Sequence, residues 1–172
     1  FVGYHAKADS AAGLFAHTGS GVVRDLEING RSVGEGGLNA ALADWYGVPV
    51  VMVTGDDVAV RQVRETVKDA RGVEVKRAIN IRAVELVPLA LARHGIETAA
   101  RESVLAAPLR AASRAPEYRV AMRFRNFVIP EMVLHLSSVL DMDAGKMIEQ
   151  RLSRPHGLAL RNGPLRLCAE QY

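Results

Sequence analysis

Cysteine occurs once in the 172 residues, at Cys168, so no disulfide can close within the chain and a disulfide-stapled secreted scaffold is excluded. Aromatic residues are scarce at 5%, and only 4 of the 22 basic residues are lysine. The net charge of +3 and pI of about 9.3 therefore do not describe a nucleic-acid surface. Backbone binding needs a contiguous basic stripe, often with stacking aromatics, whereas these arginines are scattered. The nearest grouping, Arg119, Arg123 and Arg125, alternates as residues on one strand do. No run is long enough to span a membrane: the charge-free stretch from Trp45 to Gly55 is 11 residues, against about 20 required. Neither nucleic acid nor membrane is an expected partner. Phosphate-loop patterns are missing too, since no Gly-Lys-Ser/Thr or GxGxxG follows the glycines at Gly19, Gly21 and Gly34–Gly37, and Ser20 lacks a nucleophile elbow. No internal repeat, acidic tail or low-complexity tract is present. Lys7 and Asp9 interrupt the apolar start, which excludes a signal-peptide pattern and makes a cytoplasmic location the expectation. The start itself, Phe1-Val2-Gly3-Tyr4, has no methionine and reads as mid-strand, so a companion N-terminal segment is expected upstream.

At 49% hydrophobic and 24% charged, the chain has the makings of a folded core rather than a disordered segment. Phe1–Tyr4 reads as the end of a buried strand, and residues 6–20 as a long loop of a length that tends to be functional. A strand over 22–29 ends at the turn signal Asn29-Gly30. Leu38, Ala41, Leu42 and Trp45 recur at helical spacing, predicting an amphipathic helix from near Glu35 to Gly47. Val48 to Val53 is a short apolar run typical of a strand buried on both faces. A helix with Val60, Val63 and Val67 on one face follows, then a short strand at Val73–Lys76, then a helical stretch over 82–107. Pro108 to Pro116 has the composition of a linker. Beyond it a half-buried strand at 118–124, a helix at 131–140 and a hairpin around Asn162-Gly163 are expected. The pattern is α/β, a mostly parallel sheet with helices on both faces, plus a small C-terminal α+β appendage. The expected division is residues 1–112 and 113–172.

Five histidines are candidates for chemistry. His94 and His135 lie in apolar helical surroundings and His156 beside a turn, so these read as structural or exposed. His5 and His17 differ, because both follow a buried strand, where α/β sheets assemble their sites. Glu35 joins them, set in Gly34-Glu35-Gly36-Gly37 at a helix start, where small neighbours allow close approach. Two imidazoles and a carboxylate can compose a zinc or similar site, although the three are far apart in sequence and form no compact motif. Asp25-x-Glu27 and Asp141-x-Asp143 are further acidic pairs, of a kind usually solvated. Cys168 reads as a packed thiol.

The segments Gly3-Tyr4-His5-Ala6-Lys7-Ala8, Ala16-His17-Thr18, Ile28 to Ala40 and Val48 to Asp57 together resemble the DppA-type D-aminopeptidases. These are zinc metallopeptidases that remove D-amino acids from the N-terminus of short peptides. The resemblance is dense to about Asp57, thinner to about Ala107 and faint beyond Pro116. It implies that His5 and Glu35 are zinc ligands, that His17 acts in catalysis beside the metals, and that the complete site holds two zinc ions. Asn39, one turn beyond Glu35, can face the same pocket. The family also uses an Asp-x-Glu-Gly and an Asn-Asp-Ser-His motif, and neither is present: Asp25-Leu26-Glu27 is followed by Ile28. The chain thus resembles the C-terminal part of a family member.

What the resemblance implies is a hydrolase that cleaves the N-terminal amide of a short peptide, in a homo-oligomeric ring, with zinc-bound hydroxide as the attacking group. His17 would shuttle a proton to the leaving amine or stabilise the oxyanion. An alternative of another class is a non-catalytic fragment or degenerate homologue serving as a structural oligomer subunit. Whether an Asp-x-Glu-Gly segment precedes Phe1 separates the two. A third reading is a related metal-dependent amidohydrolase with another substrate.

Overall fold

The computed structural model describes residues 1–107 and 118–125, together with the strands Ile148–Glu149, Gly157–Leu160 and Leu165–Glu170. In chain order the elements are β1 (Val23–Ile28), β2 (Arg31–Ser32), α1 (Glu35–Trp45), β3 (Met52–Asp56), α2 (Asp57–Thr66), β4 (Arg71–Ala78), β5 (Val84–Leu86), α3 (Leu89–Leu105), β6 (Tyr118–Phe124), β7 (Ile148–Glu149), β8 (Gly157–Leu160) and β9 (Leu165–Glu170). The class is mixed α/β. Two compact units emerge: Phe1–His17 with Val33–Arg114, and Thr18–Ser32 with Ala115–Tyr172.

The first unit is built on β3, all five of whose residues are buried. The apolar run expected as a strand over Val48–Val53 enters it only at Met52 and Val53: Val48 is 57% exposed, and the strand goes on instead through Thr54, Gly55 and Asp56, covered on both faces. It pairs in parallel with β4 through the α2 crossover, and β4 pairs antiparallel with β5, so this three-stranded sheet is mixed in direction. On the other side of β3, Phe1–Tyr4 runs alongside: the Tyr4 amide donates to the Thr54 carbonyl at 2.8 Å and the Thr54 amide to that of Phe1 at 2.9 Å. The parallel bridge Tyr4–Gly55 brings the chains so close that a Cβ on Gly55 would lie 2.3 Å from the Tyr4 carbonyl oxygen. Only glycine fits there. Val53, Val60 and Val63 form a buried cluster with Phe1 and Tyr4 packed on it, each valine contributing roughly 1.5–3 kcal/mol by leaving water.

Helix α2 starts as its sequence predicts. Asp56 is the N-cap, its carboxylate accepting from the Ala59 amide at 2.8 Å. Val58, Ala59, Val60 and Val63 make the buried face. Helix α1 spans the expected residues but turns another face inward: Gly36, Gly37 and Ala40 are buried, while Leu42 is 53% exposed. The reason is separation. A Cβ on Gly36 would meet Val63 Cγ2 at 2.3 Å and Tyr4 Cδ1 at 3.2 Å, so α1 comes in through its smallest residues, leaving Leu38, Ala41 and Trp45 half-buried and Leu42 outside.

The helix expected over 82–107 is shorter. Val84–Leu86 is strand β5, and α3 begins only after Pro88, its N-cap. Proline has no N–H to donate and disfavours helical backbone in the residue before it, so the helix does not reach back to Val87. Gly95 does not break α3.

In the second unit β1 and β2 form a hairpin whose two turn residues, Asn29 (φ 53°) and Gly30 (φ 79°), have the left-handed backbone a type I′ turn requires. β1 pairs antiparallel with β6, and the sheet runs β2-β1-β6-β9-β8-β7. That pairing is why Thr18–Ser32 groups with Ala115–Tyr172, whereas the expected division at 112/113 is continuous along the chain. The expected linker at 108–116, helix at 131–140 and turn Asn162-Gly163 lie outside the described residues. No helix among the described residues is long and apolar enough to cross a membrane.

Candidate metal centre

His5, His17 and Glu35, separated by up to 30 positions in sequence, come together in the first unit: a ligand atom from each lies within 4.8 Å of the others. His5 continues the extended segment that β3 holds in place. Glu35 is the first residue of α1, following the extended Gly34. Gly34 is required here by close approach, because a Cβ on it would lie 2.7 Å from the Lys7 Cβ. His17 ends the long loop.

The loop is held by hydrogen bonds that its composition does not reveal. The Leu14 amide donates to Asp56 Oδ2 at 3.3 Å, so the buried α2 cap also anchors the loop. The Phe15 amide donates to the Ile81 carbonyl at 2.9 Å. Phe15 itself has φ 45°, a left-handed backbone rare for a bulky residue, and it aims its carbonyl at the His17 ring.

The two imidazoles stack, with ring centroids 4.1 Å apart and planes inclined by 9°. Each Nδ1 meets a backbone carbonyl: His5 at Ala6 O, 3.0 Å, and His17 at Phe15 O, 2.6 Å. A carbonyl can only accept, so in the neutral ring the proton sits on Nδ1 and Nε2 carries a lone pair. Those Nε2 atoms lie near the Glu35 carboxylate, His5 at 3.5 Å from Oε2 and His17 at 3.8 Å from Oε1. Both separations exceed the roughly 2.7–3.2 Å of an N–H···O bond. The site therefore gathers three electron-pair donors with a negative charge among them, the donor set a divalent cation needs. Ligand bonds of about 2.0–2.2 Å let two donors on one zinc ion lie up to about 4 Å apart, which both imidazole–carboxylate distances satisfy. The outward bond from each Nδ1 to a fixed acceptor is the usual arrangement behind a metal-ligating histidine. The residues present fit zinc.

Other sequence candidates fall elsewhere. Asn39 donates to the Tyr4 hydroxyl at 2.8 Å. His94 is exposed on α3. Asp25 and Glu27 share Arg123, whose Nη1 lies 2.8 Å from Asp25 Oδ2 and also bonds Glu27 Oε1, so in the second unit that acidic pair is matched by a guanidinium. Arg125 Nε donates to the Gly21 carbonyl at 3.1 Å. His135, His156, Asp141 and Asp143 lie outside the described residues, as does the side chain of Cys168. Sequence reasoning missed Gln62, Ser10 and the loop-anchoring role of Asp56. Only the last had a local signal, an aspartate directly before an amphipathic helix.

A histidine pair and a carboxylate at the start of a helix, on a mixed α/β frame, make a candidate metal centre. Residues 1–154 match the Peptidase_M55 family model, described as D-aminopeptidase, and the chain belongs to that family. It is 45% identical over 85 residues to a D-aminopeptidase of Bacillus subtilis (strain 168), covering 49% of this chain and 31% of the relative. Among solved structures it is similar to the "Zn-dependent D-aminopeptidase DppA from Bacillus subtilis, a self-compartmentalizing protease", with a TM-score of 0.66 and 28% identity over 86% of this chain and 51% of that one. The chain thus spans about half the length of that structure and a third of the curated relative.

Proposed function

We propose that this chain carries part of the active site of a zinc-dependent aminopeptidase acting on short peptides, with D-amino acids at the N-terminus. His5 and Glu35 are its metal ligands and His17 its catalytic residue. The observation that carries the reading is the convergence of two Nδ1-tethered imidazoles on one carboxylate. Family membership supports the substrate class.

Zinc held there supplies an activated water and polarises the scissile carbonyl. The chain's own groups do the rest. His5 and Glu35 bind through Nε2 and a carboxylate oxygen. His17, the more exposed of the two rings, donates its Nδ1–H to the Phe15 carbonyl and so offers Nε2 to accept the attacking water's proton. From Nε2 the proton passes to the leaving amine.

In the complete enzyme we place two zinc ions per site, further ligands on a preceding segment, a homo-oligomeric ring and a cytoplasmic location. In the same proposal this chain forms the C-terminal part of a mostly parallel α/β domain with helices on both faces, followed by a small α+β appendage.

Elemental analysis of the purified full-length protein, with its preceding segment present, tests the reading. About two zinc ions per chain, lost in Glu35→Gln with the fold intact, is the expected result. No zinc in protein prepared without chelator would overturn it and leave a structural oligomer subunit as the better description. Comparing D-Ala and L-Ala peptide amides separates a D-aminopeptidase from an amidohydrolase of other specificity.

A further inference from the structure

We propose that Gln62, on α2, is a positioning residue for the His5–His17 pair. This rests on the metal-centre reading above, and it concerns a residue with no metal-binding chemistry of its own.

The peptide joining Ala6 to Lys7 is a rigid plane, its carbonyl and its N–H pointing to opposite sides. On one side the Ala6 carbonyl accepts two hydrogen bonds, from His5 Nδ1 at 3.0 Å and from the His17 amide at 3.2 Å. On the other side the Lys7 amide donates to Gln62 Oε1 at 2.9 Å. Whatever sets the tilt of that plane sets both histidines at once. The Gln62 amide is itself held, because Nε2 donates to Ser10 Oγ at 2.9 Å and the Ser10 hydroxyl donates to the Lys7 carbonyl at 2.8 Å. Which end of the amide is oxygen follows from the Lys7 N–H, which can only donate. Gln62 thus closes a ring of hydrogen bonds across more than 50 residues of sequence and ties the loop to a helix whose valines are in the core.

Ala6 is fully buried, its carbonyl included, so water cannot replace the two donors on that carbonyl, and Gly34 packs on the Lys7 backbone beside Glu35. The same short segment therefore also borders the third ligand. Outer-shell partners of this kind set ligand geometry, and their loss typically weakens metal binding by about 10- to 100-fold.

The test is zinc affinity in the full-length protein, measured by competition with a chromophoric chelator, with the visible spectrum of the cobalt-substituted protein as a reporter of ligand geometry. Gln62→Met, close in shape but unable to bond either partner, should weaken zinc binding at least about tenfold and alter the cobalt spectrum. Gln62→Glu keeps an acceptor for the Lys7 amide and should stay within a few-fold of wild type. Ser10→Ala removes one side of the ring and should weaken binding by a smaller factor; it decides the matter if Gln62→Met does not fold. A merely structural glutamine would lower the melting temperature and leave zinc affinity and spectrum alone, and that result in folded Gln62→Met, or in Ser10→Ala if it does not fold, would overturn the role. A wild-type protein that binds no zinc would instead sink the metal-centre reading itself.

Discussion

His5 and His17 stack at 4.1 Å, and both are tied to one acceptor: the Ala6 carbonyl takes the His5 Nδ1 proton and the His17 main-chain amide. The pair is therefore placed as a unit rather than as two independent side chains. Glu35 then needs only to begin a helix at the right spot for three donors to converge.

His17→Ala separates ligand from catalyst. On the proposed mechanism it removes the proton acceptor while sparing His5 and Glu35, so activity on a D-Ala peptide amide should fall by about 10²- to 10⁴-fold with zinc content kept. Kinetics and elemental analysis on one preparation check it; loss of zinc would reassign His17 as a ligand.

Asp56→Ala strikes two bonds of one buried carboxylate, to the Ala59 amide at the start of α2 and to the Leu14 amide in the loop. Losing a helix cap and leaving a loop donor unsatisfied should cost about 1–3 kcal/mol. Urea unfolding measures it, and a change under about 0.5 kcal/mol would contradict the anchoring role.

Gly55→Ala places a methyl where the Tyr4 carbonyl stands, 2.3 Å away, and backbone cannot swing aside as a long side chain can. Destabilisation of about 1–3 kcal/mol is expected. Thermal unfolding checks this, and zinc affinity should fall with it because Tyr4 leads directly into His5.

Chelation should lower the melting temperature. Zinc at a hundred times its dissociation constant stabilises the folded state by about 2.7 kcal/mol, or about 5–10 °C for a chain of this size. Calorimetry with and without chelator reads it, and Glu35→Gln should show no such shift.

Local chemistry was legible in the sequence where neighbours decide conformation. Asn29-Gly30 made its turn because both residues tolerate positive φ; Asp56 capped α2 through its own next residues; of the apolar run Val48–Val53 only Met52 and Val53 entered the buried strand. The glycines around Glu35 and the loop after Tyr4 marked the residues that converge, since close approach and the end of an apolar strand are written in residue type. What tertiary structure decided was everything that depends on distant partners. Leu42 was left outside because Gly36 lets α1 sit on Val63, a contact no helical period contains. Asp25 and Glu27 found Arg123 nearly a hundred residues away. Gln62 reached Lys7 and Ser10 across a helix and three strands, and a glutamine on a polar helix face carries no local mark of its partner. Periodicity and turn chemistry act over a few bonds; the spacing of His5, His17 and Glu35 exists only once β3, α1 and α2 have packed.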